Sequence, residues 1–450
     1  MATTLNESLE QKVGAVRDHN SKQAVARLPT EILCCIFSEY INVHFSRTPF
    51  ESKTPLVSCF SNANPTLLSQ VCSKWRAVAV NLPTLWSSIF ISIPAESHIY
   101  LVQLWLQRAR DQPLDITLDS SRDLSSTRKI LRAIVLRSQY WRKVDIKLSH
   151  YLVWYLRKLV VPPLRCDALQ SVRLILKESF AGDFDPRPFH NTELETQHLR
   201  SIWSFFYTST CLQDVAWIGD TDPEVYFHEG TPRRLKRIDS SSSLSLDQEQ
   251  MVEFLGFFPE LTHLRAEVAS ASRQYIPKLG TPSRPLTHQH LHTLHLYTFI
   301  PLSLVFSHIT LPSLSELLIA SLFHDGTLFD PPVLENFFLR SNCQLQVLKY
   351  LNRDMPETCL LRLLELPQLQ SLLWLGCAAV TTDLTISAFL QTTEHNVPKV
   401  LPRLENLFLY SSNAGYVLLS EMISYRASLV KDFNFDTELE YMRSTSPWFY

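Results

Sequence analysis

Two segments near the amino end carry apolar side chains at helical spacing. In residues 28–41 the apolar positions recur about every four residues, behind Thr30 as the predicted N-cap. A second helix is predicted over residues 65–82, where Pro83 ends it. A short turn then leads to residues 87–93, whose alternation of apolar and polar side chains is typical of a strand.

From about residue 114 the pattern changes to short units of the form LxxLxL. Two segments with alternating apolar residues, 113–118 and 141–148, come first. The segments between later units, such as residues 333–342 and 386–393, have apolar residues at helical spacing. Strand, loop and helix in series indicate a parallel, right-handed coil, with a step of roughly 29 residues. Nine units begin at Leu169, Leu212, Leu235, Leu261, Leu291, Leu314, Leu345, Leu369 and Leu404.

The units resemble leucine-rich repeats, and four of them have Pro two places ahead of the leading Leu. Pro suits the start of a strand and ends the helix before it. We therefore predict an α/β protein in which a small all-helical N-terminal domain precedes an irregular leucine-rich-repeat-like solenoid. The predicted boundaries are a frayed tail at 1–26, the helical domain at 27–90 with an irregular insert at 42–64, and the solenoid at 91–450. Long loops are predicted at 178–193, 219–233 and 270–288, and a flexible bridge at 240–243.

Composition argues against several classes of function. The chain has 42 basic and 44 acidic residues, so it lacks the positive charge that holds nucleic acid. Only 9 of its 450 residues are Gly, and neither of the glycine-rich phosphate motifs GxGxxG and GxxxxGK[ST] is found. The hydrolase motifs GxSxG and HExxH are missing as well. We predict no catalytic residue, no cofactor and no nucleic-acid partner.

The cysteine pattern and the apolar stretches bear on the compartment. Nine Cys form an odd set without a CxxC pair, and the first residues do not resemble a secretory signal. We expect a reduced chain in the cytoplasm, the nucleus or both. The uncharged stretches 77–95 and 291–315 are interrupted by Pro, Ser, Thr or His, so we predict no membrane association.

The N-terminal segments LPTEILCCIF, LLSQVCSKWRAVA and LPTLW resemble the F-box, in particular the F-box-like proteins numerous in mushroom-forming fungi. The resemblance implies that these helices dock on the Skp-type adaptor of a cullin-RING ubiquitin ligase, while the repeats hold a target protein. The insert at 42–64 departs from the usual short connection between the first two helices. The matching positions, which would form the adaptor face and core, are Leu28, Pro29, Ile32, Leu33, Ile36, Phe37, Leu68, Val71, Cys72, Trp75, Leu82 and Trp86.

Two functions stay open at this point. The first is a substrate-recognition subunit of such a ligase, and the second is a repeat scaffold without a link to ubiquitin, in which the helices only cap the solenoid. The predicted target-binding side chains lie between the second and third apolar residues of a unit, on the concave face. They are Arg265, His295, Lys349, Leu373 and Phe408.

Three other clusters are interpreted as structural. His288, His290 and His292 alternate along one segment, but His295 faces the other way and no carboxylate or Cys cluster accompanies them, so we predict no metal site. Cys34 and Cys35 lie between apolar neighbours and are predicted to be buried thiols. The carboxylate pairs Asp183 with Asp185 and Asp220 with Asp222 lie close to Pro in predicted loops, and Asp before Pro is ordinary turn chemistry.

Overall fold

A computed structural model of the full chain provides the structure. It describes residues 28–46, 65–120, 125–177, 192–218, 227, 231–240, 244–269, 285–298, 300–321, 331–353, 355–395, 397–430 and 433–436. The predicted tail, residues 47–64 of the insert, most of the three predicted loops and residues 241–243 of the predicted bridge lie outside these residues. Where the loops are described, a helix begins at Thr192 and Leu286–Thr287 form a short strand, which corrects the ends of two of them. Ser240, the first residue of the predicted bridge, is buried. Contacts divide the chain into a first unit, residues 1–170 with 177–186 and 208–211, and a second unit with the remainder.

The first unit joins the N-terminal helices to three parallel strands. Strands β1, β2 and β3 pair in that order. The helices are α1 Thr30–Ser46, α2 Pro65–Val71, α3 Ser73–Asn81, α4 Glu96–Ala109, α5 Ser125–Val135 and α6 His150–Leu159, with 3-10 helices at Pro83–Trp86 and Ser138–Tyr140. The strands are β1 Ser88–Ser92, β2 Leu114–Asp119 and β3 Trp141–Ser149.

The second unit alternates strands and helices. Its helices are α7 Thr192–Tyr207, α8 Gln248–Phe257, α9 Ser303–His308, α10 Pro331–Ser341, α11 Glu357–Leu364, α12 Asp383–Leu390 and α13 Tyr416–Leu429, with a 3-10 helix at Pro367–Leu369. Its strands are β4 Ser171–Lys177, β5 Asp214–Ile218, β6 Arg237–Asp239, β7 Ser245–Leu246, β8 His263–Val268, β9 Leu286–Thr287, β10 Thr293–Thr298, β11 Ile309–Thr310, β12 Glu316–Ser321, β13 Val347–Leu351, β14 Trp374–Cys377, β15 Asn406–Leu409 and β16 Asn434–Asp436.

The strands of the second unit pair in parallel in the order β4-β5-β6-β8-β10-β12-β13-β14-β15-β16. In addition β7 pairs with β8, and β9 with β11. Each of the nine predicted units contributes one strand of this order. Within β8 and β10 the apolar residues Leu264, Ala266, Leu294 and Leu296 are fully buried at alternate positions, as a strand with one face on the core requires. The prediction of an α/β architecture with leucine-rich-repeat-like units is confirmed.

One repeat begins three residues later than predicted. Val347 pairs with Trp374 and Leu348 with Leu375, so the leading residue of this unit is Leu372 and not Leu369. The 3-10 helix Pro367–Leu369 precedes it. Leu369, Leu372 and Leu375 all fit the repeat spacing. The Pro two places ahead of Leu369 led to the wrong prediction that Leu369 is the leading residue.

The predicted second helix is divided in two at Cys72. This residue is extended, with φ −156° and ψ 172°, and its Sγ accepts a hydrogen bond of 3.4 Å from the backbone N–H of Trp75. Cys72 therefore caps α3, which satisfies a donor that a new helix leaves free. The structure also corrects α1, because Thr30 is its first residue and the helix continues to Ser46, into the predicted insert.

Neighbouring helices of the second unit are tied together at their amino ends. Gln248 Oε1, in the first turn of α8, accepts a hydrogen bond from the Leu304 N–H at the start of α9 (2.9 Å). Glu357 in α11 does the same for α12, since its Oε1 accepts from the N–H of Thr382 (2.6 Å) and of Thr385 (3.2 Å). Each of these side chains satisfies helix N–H groups of the next repeat.

The carboxyl ends of the same helices are satisfied by arginines from the following repeat. Arg340 in α10 donates to the carbonyl oxygen of Ile309, directly after α9 (2.7 Å). Arg426 in α13 donates to the carbonyl oxygen of Phe389 in the last turn of α12 (3.0 Å). Because carbonyl groups at a helix end lack partners within the helix, these contacts hold consecutive repeats in place.

Candidate protein-binding surfaces

Helix α1 divides its apolar side chains between the core and the surface. Leu33 and Phe37 are fully buried, and the Phe37 ring lies 4.8 Å from the Trp75 ring of α3. Ile32 and Ile36, one turn apart, are 46% and 43% exposed. Residues four apart lie on the same side of a helix, so these two form an apolar strip that faces away from the core.

Helix α2 repeats this arrangement. Leu68 is buried, whereas Leu67 and Val71, again four residues apart, are 44% and 58% exposed. Lys74 Nζ, in α3, donates a 2.6 Å hydrogen bond to the Leu28 carbonyl oxygen and so joins α3 to the start of α1. We name the four exposed side chains Ile32, Ile36, Leu67 and Val71 the apolar docking residues. Sequence reasoning missed Leu67, although its spacing from Val71 was a usable signal.

The twelve predicted adaptor residues fall into three groups in the structure. Pro29, Ile32, Ile36 and Val71 are exposed, Leu28, Cys72, Trp75 and Leu82 are half-buried, and Leu33, Phe37, Leu68 and Trp86 are buried. The buried group offers no surface to a partner in this conformation and holds the helices together instead. Adaptor binding by the other eight residues stays a prediction.

Trp86 anchors the N-terminal helices to the first strand-helix repeat. Its Nε1 donates a 2.8 Å hydrogen bond to the Ala79 carbonyl oxygen of α3. Its ring meets the edge of Trp105 at 5.6 Å, and the Arg108 guanidinium lies 4.3 Å from the ring centroid. Both of the latter residues belong to α4. The N-terminal helices are thus packed onto α4 within the first unit.

The prediction that Cys34 and Cys35 are both buried is wrong. Cys35 is exposed and Cys34 is half-buried. Leu33, Phe37 and Ile41 recur every four residues and set the buried side of α1. A residue two positions after Leu33 points about 200° away from it around the helix, which places the Cys35 thiol on the outer side.

The five predicted target-binding residues do not share one row. Arg265 and His295 are paired across β8 and β10, and Lys349 continues this row on β13. Phe408 of β15 is also in the row, but its partner on β14 is Gly376. Leu373 lies before the strand, a consequence of the three-residue error in the repeat that contains it.

The residues of this row differ in what they offer to a partner. Phe408 is only 4% exposed, so the expectation that it meets a target directly is wrong in this conformation. Arg265 and His295 are half-buried, and a carboxylate lies beside each of them. Arg265 Nε lies 3.9 Å from Asp239 Oδ1, and His295 Nε2 lies 3.0 Å from Glu316 Oε1.

The histidines near residue 290 make local contacts. His288 is buried, and its Nε2 lies 2.9 Å from the Phe258 carbonyl oxygen, while burial lowers its pKa. His292 Nδ1 lies 2.6 Å from the His290 carbonyl oxygen. Within the described ranges, no group of three or more His, Cys, Asp or Glu side chains is placed to hold a metal ion. The predicted carboxylate pairs near Asp183 and Asp220 lie outside those ranges.

His263 makes stability depend on pH. Burial, followed by repulsion from Arg237 and His295, lowers the pKa of His263 to about 4 from an ordinary 6.5. The folded state therefore disfavours the proton that the unfolded chain accepts, so this contribution is complete above about pH 6.5 and is lost as pH falls toward 4. We expect the His263→Asn variant to show a shallower loss of unfolding free energy over this interval in urea titrations. His308→Asn, at an exposed site, is the control, and equal slopes for wild type and His263→Asn would contradict the prediction.

None of the helices in the described part of the chain combines the length and apolar content needed to cross a membrane. Comparison of the chain with the models of known protein families finds no match, and comparison with curated proteins finds none either.

Proposed function

We propose that the chain is a substrate-recognition subunit of a cullin-RING ubiquitin ligase. In this role the N-terminal helices dock on the Skp-type adaptor, and the repeats bind the target protein. The observation that carries the proposal is the exposure of Ile32 and Ile36 on α1 and of Val71 on α2, at positions of the F-box-like motif. Such a subunit positions a target without chemistry of its own, and it would act in the cytoplasm, the nucleus or both.

The energetics of docking favour a larger contact than the four apolar docking residues alone. Burying an aliphatic side chain fully contributes about 1.5 to 3 kcal/mol, and association costs about 4 to 15 kcal/mol. Four such residues, already half covered, only begin to offset that cost. Stable docking therefore requires the half-buried Leu28, Trp75 and Leu82 to contribute area at the rim.

The alternative function, a scaffold in which the helices only cap the repeats, is favoured by one observation. Trp86 packs between α3 and α4, as a cap for the first repeat would. A cap needs a polar outer surface, however, because its outer side faces water. Ile32 and Ile36 are apolar and exposed, so this surface does not meet that requirement. Their exposure favours binding of a partner protein at this surface.

The test is co-purification with the adaptor. The Skp-type adaptor should co-purify with the co-expressed full-length chain. The double variant Ile32→Asp with Ile36→Asp should bind the adaptor more than about 100-fold more weakly, because two carboxylates would have to be desolvated. Leu136→Asp, at an exposed apolar residue of the first unit outside the motif, is the matched control.

Unfolding curves of the double variant and of the control should coincide with that of the wild type, since the replaced side chains lie on the surface. Wild-type protein that never binds the adaptor would refute the ligase proposal and leave the scaffold. Equal loss of binding by the Leu136→Asp control would show that the effect does not come from the docking residues.

A further inference from the structure

The last three strands of the second unit carry a row of accessible side chains at their amino ends. Trp374 of β14 is in register with Asn406 of β15, which is in register with Asn434 of β16. Alternate side chains of a strand point to opposite faces. Leu375 and Leu407, the next residues, are fully buried, so the row lies on the face away from the core.

Trp374 is held in a defined position at one end of this row. A Cβ atom on Gly376 would come within 2.5 Å of the indole Cζ3, so the ring lies across the glycine. The Phe408 ring stacks on the indole at 4.7 Å and 26°, and Lys349 Nζ lies 4.8 Å from the indole centroid. An aromatic group fixed in this way loses little conformational freedom when a ligand contacts its exposed part.

The side-chain carboxamides of the two asparagines are available for hydrogen bonds with a ligand. Asn406 is half-buried and Asn434 is exposed. Their backbone N–H groups donate to the carbonyl oxygens of Leu373 and Glu405, at 2.9 and 2.8 Å. Within the described part of the chain, neither side-chain carboxamide has a hydrogen-bond partner. Each carboxamide offers two N–H donors and an acceptor oxygen, the same groups that a peptide bond presents.

We propose that Trp374, Asn406 and Asn434 bind an extended peptide segment of a partner protein, through its main chain. Neighbouring strands lie about 4.8 Å apart, and an extended chain advances about 3.3 Å per residue, so about three residues of the peptide cross the row. Asn406 and Asn434 hydrogen-bond two of its peptide groups, and an apolar side chain of the peptide rests on Trp374. In the proposed ligase subunit, this row is the place where the target protein binds. The inference rests on the proposed function only in calling the bound protein a target, because peptide binding itself requires no adaptor.

The experiment uses random 12-residue peptides displayed on phage and selected on the full-length chain. Enriched peptides are synthesised, and their affinity is measured by fluorescence anisotropy. Asn406→Ala and Asn434→Ala should each weaken binding about tenfold, the effect of one lost hydrogen bond in a contact site. Asn413→Ala, at an exposed asparagine outside the row, should leave the affinity unchanged. Methylation of a central backbone nitrogen of the peptide should weaken binding by a similar factor.

Unfolding curves of the Asn406→Ala and Asn434→Ala variants show whether weaker peptide binding comes from a lost contact or from loss of folding. The two carboxamides make no hydrogen bonds within the described residues, so the unfolding curves of both variants should match the wild type. Peptides that bind both variants and the wild type equally would overturn the proposal, as would a selection that yields no peptide dependent on these asparagines. Peptide binding through the row without adaptor docking would refute the ligase function and leave this inference standing.

Discussion

Replacing Trp86 by Ala should lower the free energy of unfolding of the first unit by about 3 to 5 kcal/mol. The side chain is fully buried, and its Nε1 donates to the Ala79 carbonyl oxygen. The truncation would leave a cavity between α3 and α4 and an unsatisfied carbonyl group. It would also remove the contacts with Trp105 and Arg108. Urea denaturation followed by far-UV circular dichroism measures the change.

Trp154→Ala is the matched control for this prediction. Trp154 is exposed in the same unit and is contacted by Lys158 Nζ at 3.6 Å from the ring centroid. Its loss should cost less than about 1 kcal/mol, the usual range for an exposed cation-aromatic contact. Equal effects of the two substitutions would show that Trp86 does not anchor the N-terminal helices.

Arg426→Met should destabilise the second unit by about 2 to 4 kcal/mol. The buried guanidinium donates to the carbonyl oxygens of Leu401, Val400 and Phe389, at 2.8, 2.7 and 3.0 Å. A buried acceptor without a partner costs about 1 to 3 kcal/mol, and the substitution leaves three. Relief of a desolvated charge offsets part of the loss, because burial lowers the pKa of Arg426 to about 10.

The exposed Arg403 supplies the control for Arg426. Arg403→Met removes an arginine of the same unit, and its effect on the unfolding free energy should stay within about 0.5 kcal/mol. Hydrogen exchange of the full chain locates the damage, since α12 and α13 should lose protection in Arg426→Met. An Arg426→Met protein as stable as the wild type would mean that water replaces the guanidinium at these carbonyl groups.

The strands of the repeats could be predicted because their pattern has a simple physical cause. A strand buried on one face shows apolar residues at every second position, and a leading leucine marks each unit. The break at Cys72 could not be predicted, since the apolar spacing continues unchanged across it and a thiol is a weak cap. The error at Leu369 arose because three leucines at equal spacing fit the repeat, and only pairing with β13 selects Leu372.

The composition of the candidate docking surface was predictable in part. The resemblance to the F-box predicted Ile32, Leu33, Ile36 and Phe37 together, but adjacent residues on a helix point about 100° apart. Which pair faces the core depends on the position of α3, which no local pattern encodes. The same limit applies to Phe408, whose burial results from stacking with Trp374 across the neighbouring strand.

Docking of the N-terminal helices on a Skp-type adaptor can be measured by hydrogen exchange of the full-length chain with and without that adaptor. The adaptor should slow exchange in residues 30–37 of α1 and 67–71 of α2, and this protection should disappear in the Ile32→Asp, Ile36→Asp variant. Unchanged exchange in both helices at saturating adaptor, or protection confined to the repeats, would contradict docking through the exposed apolar side chains.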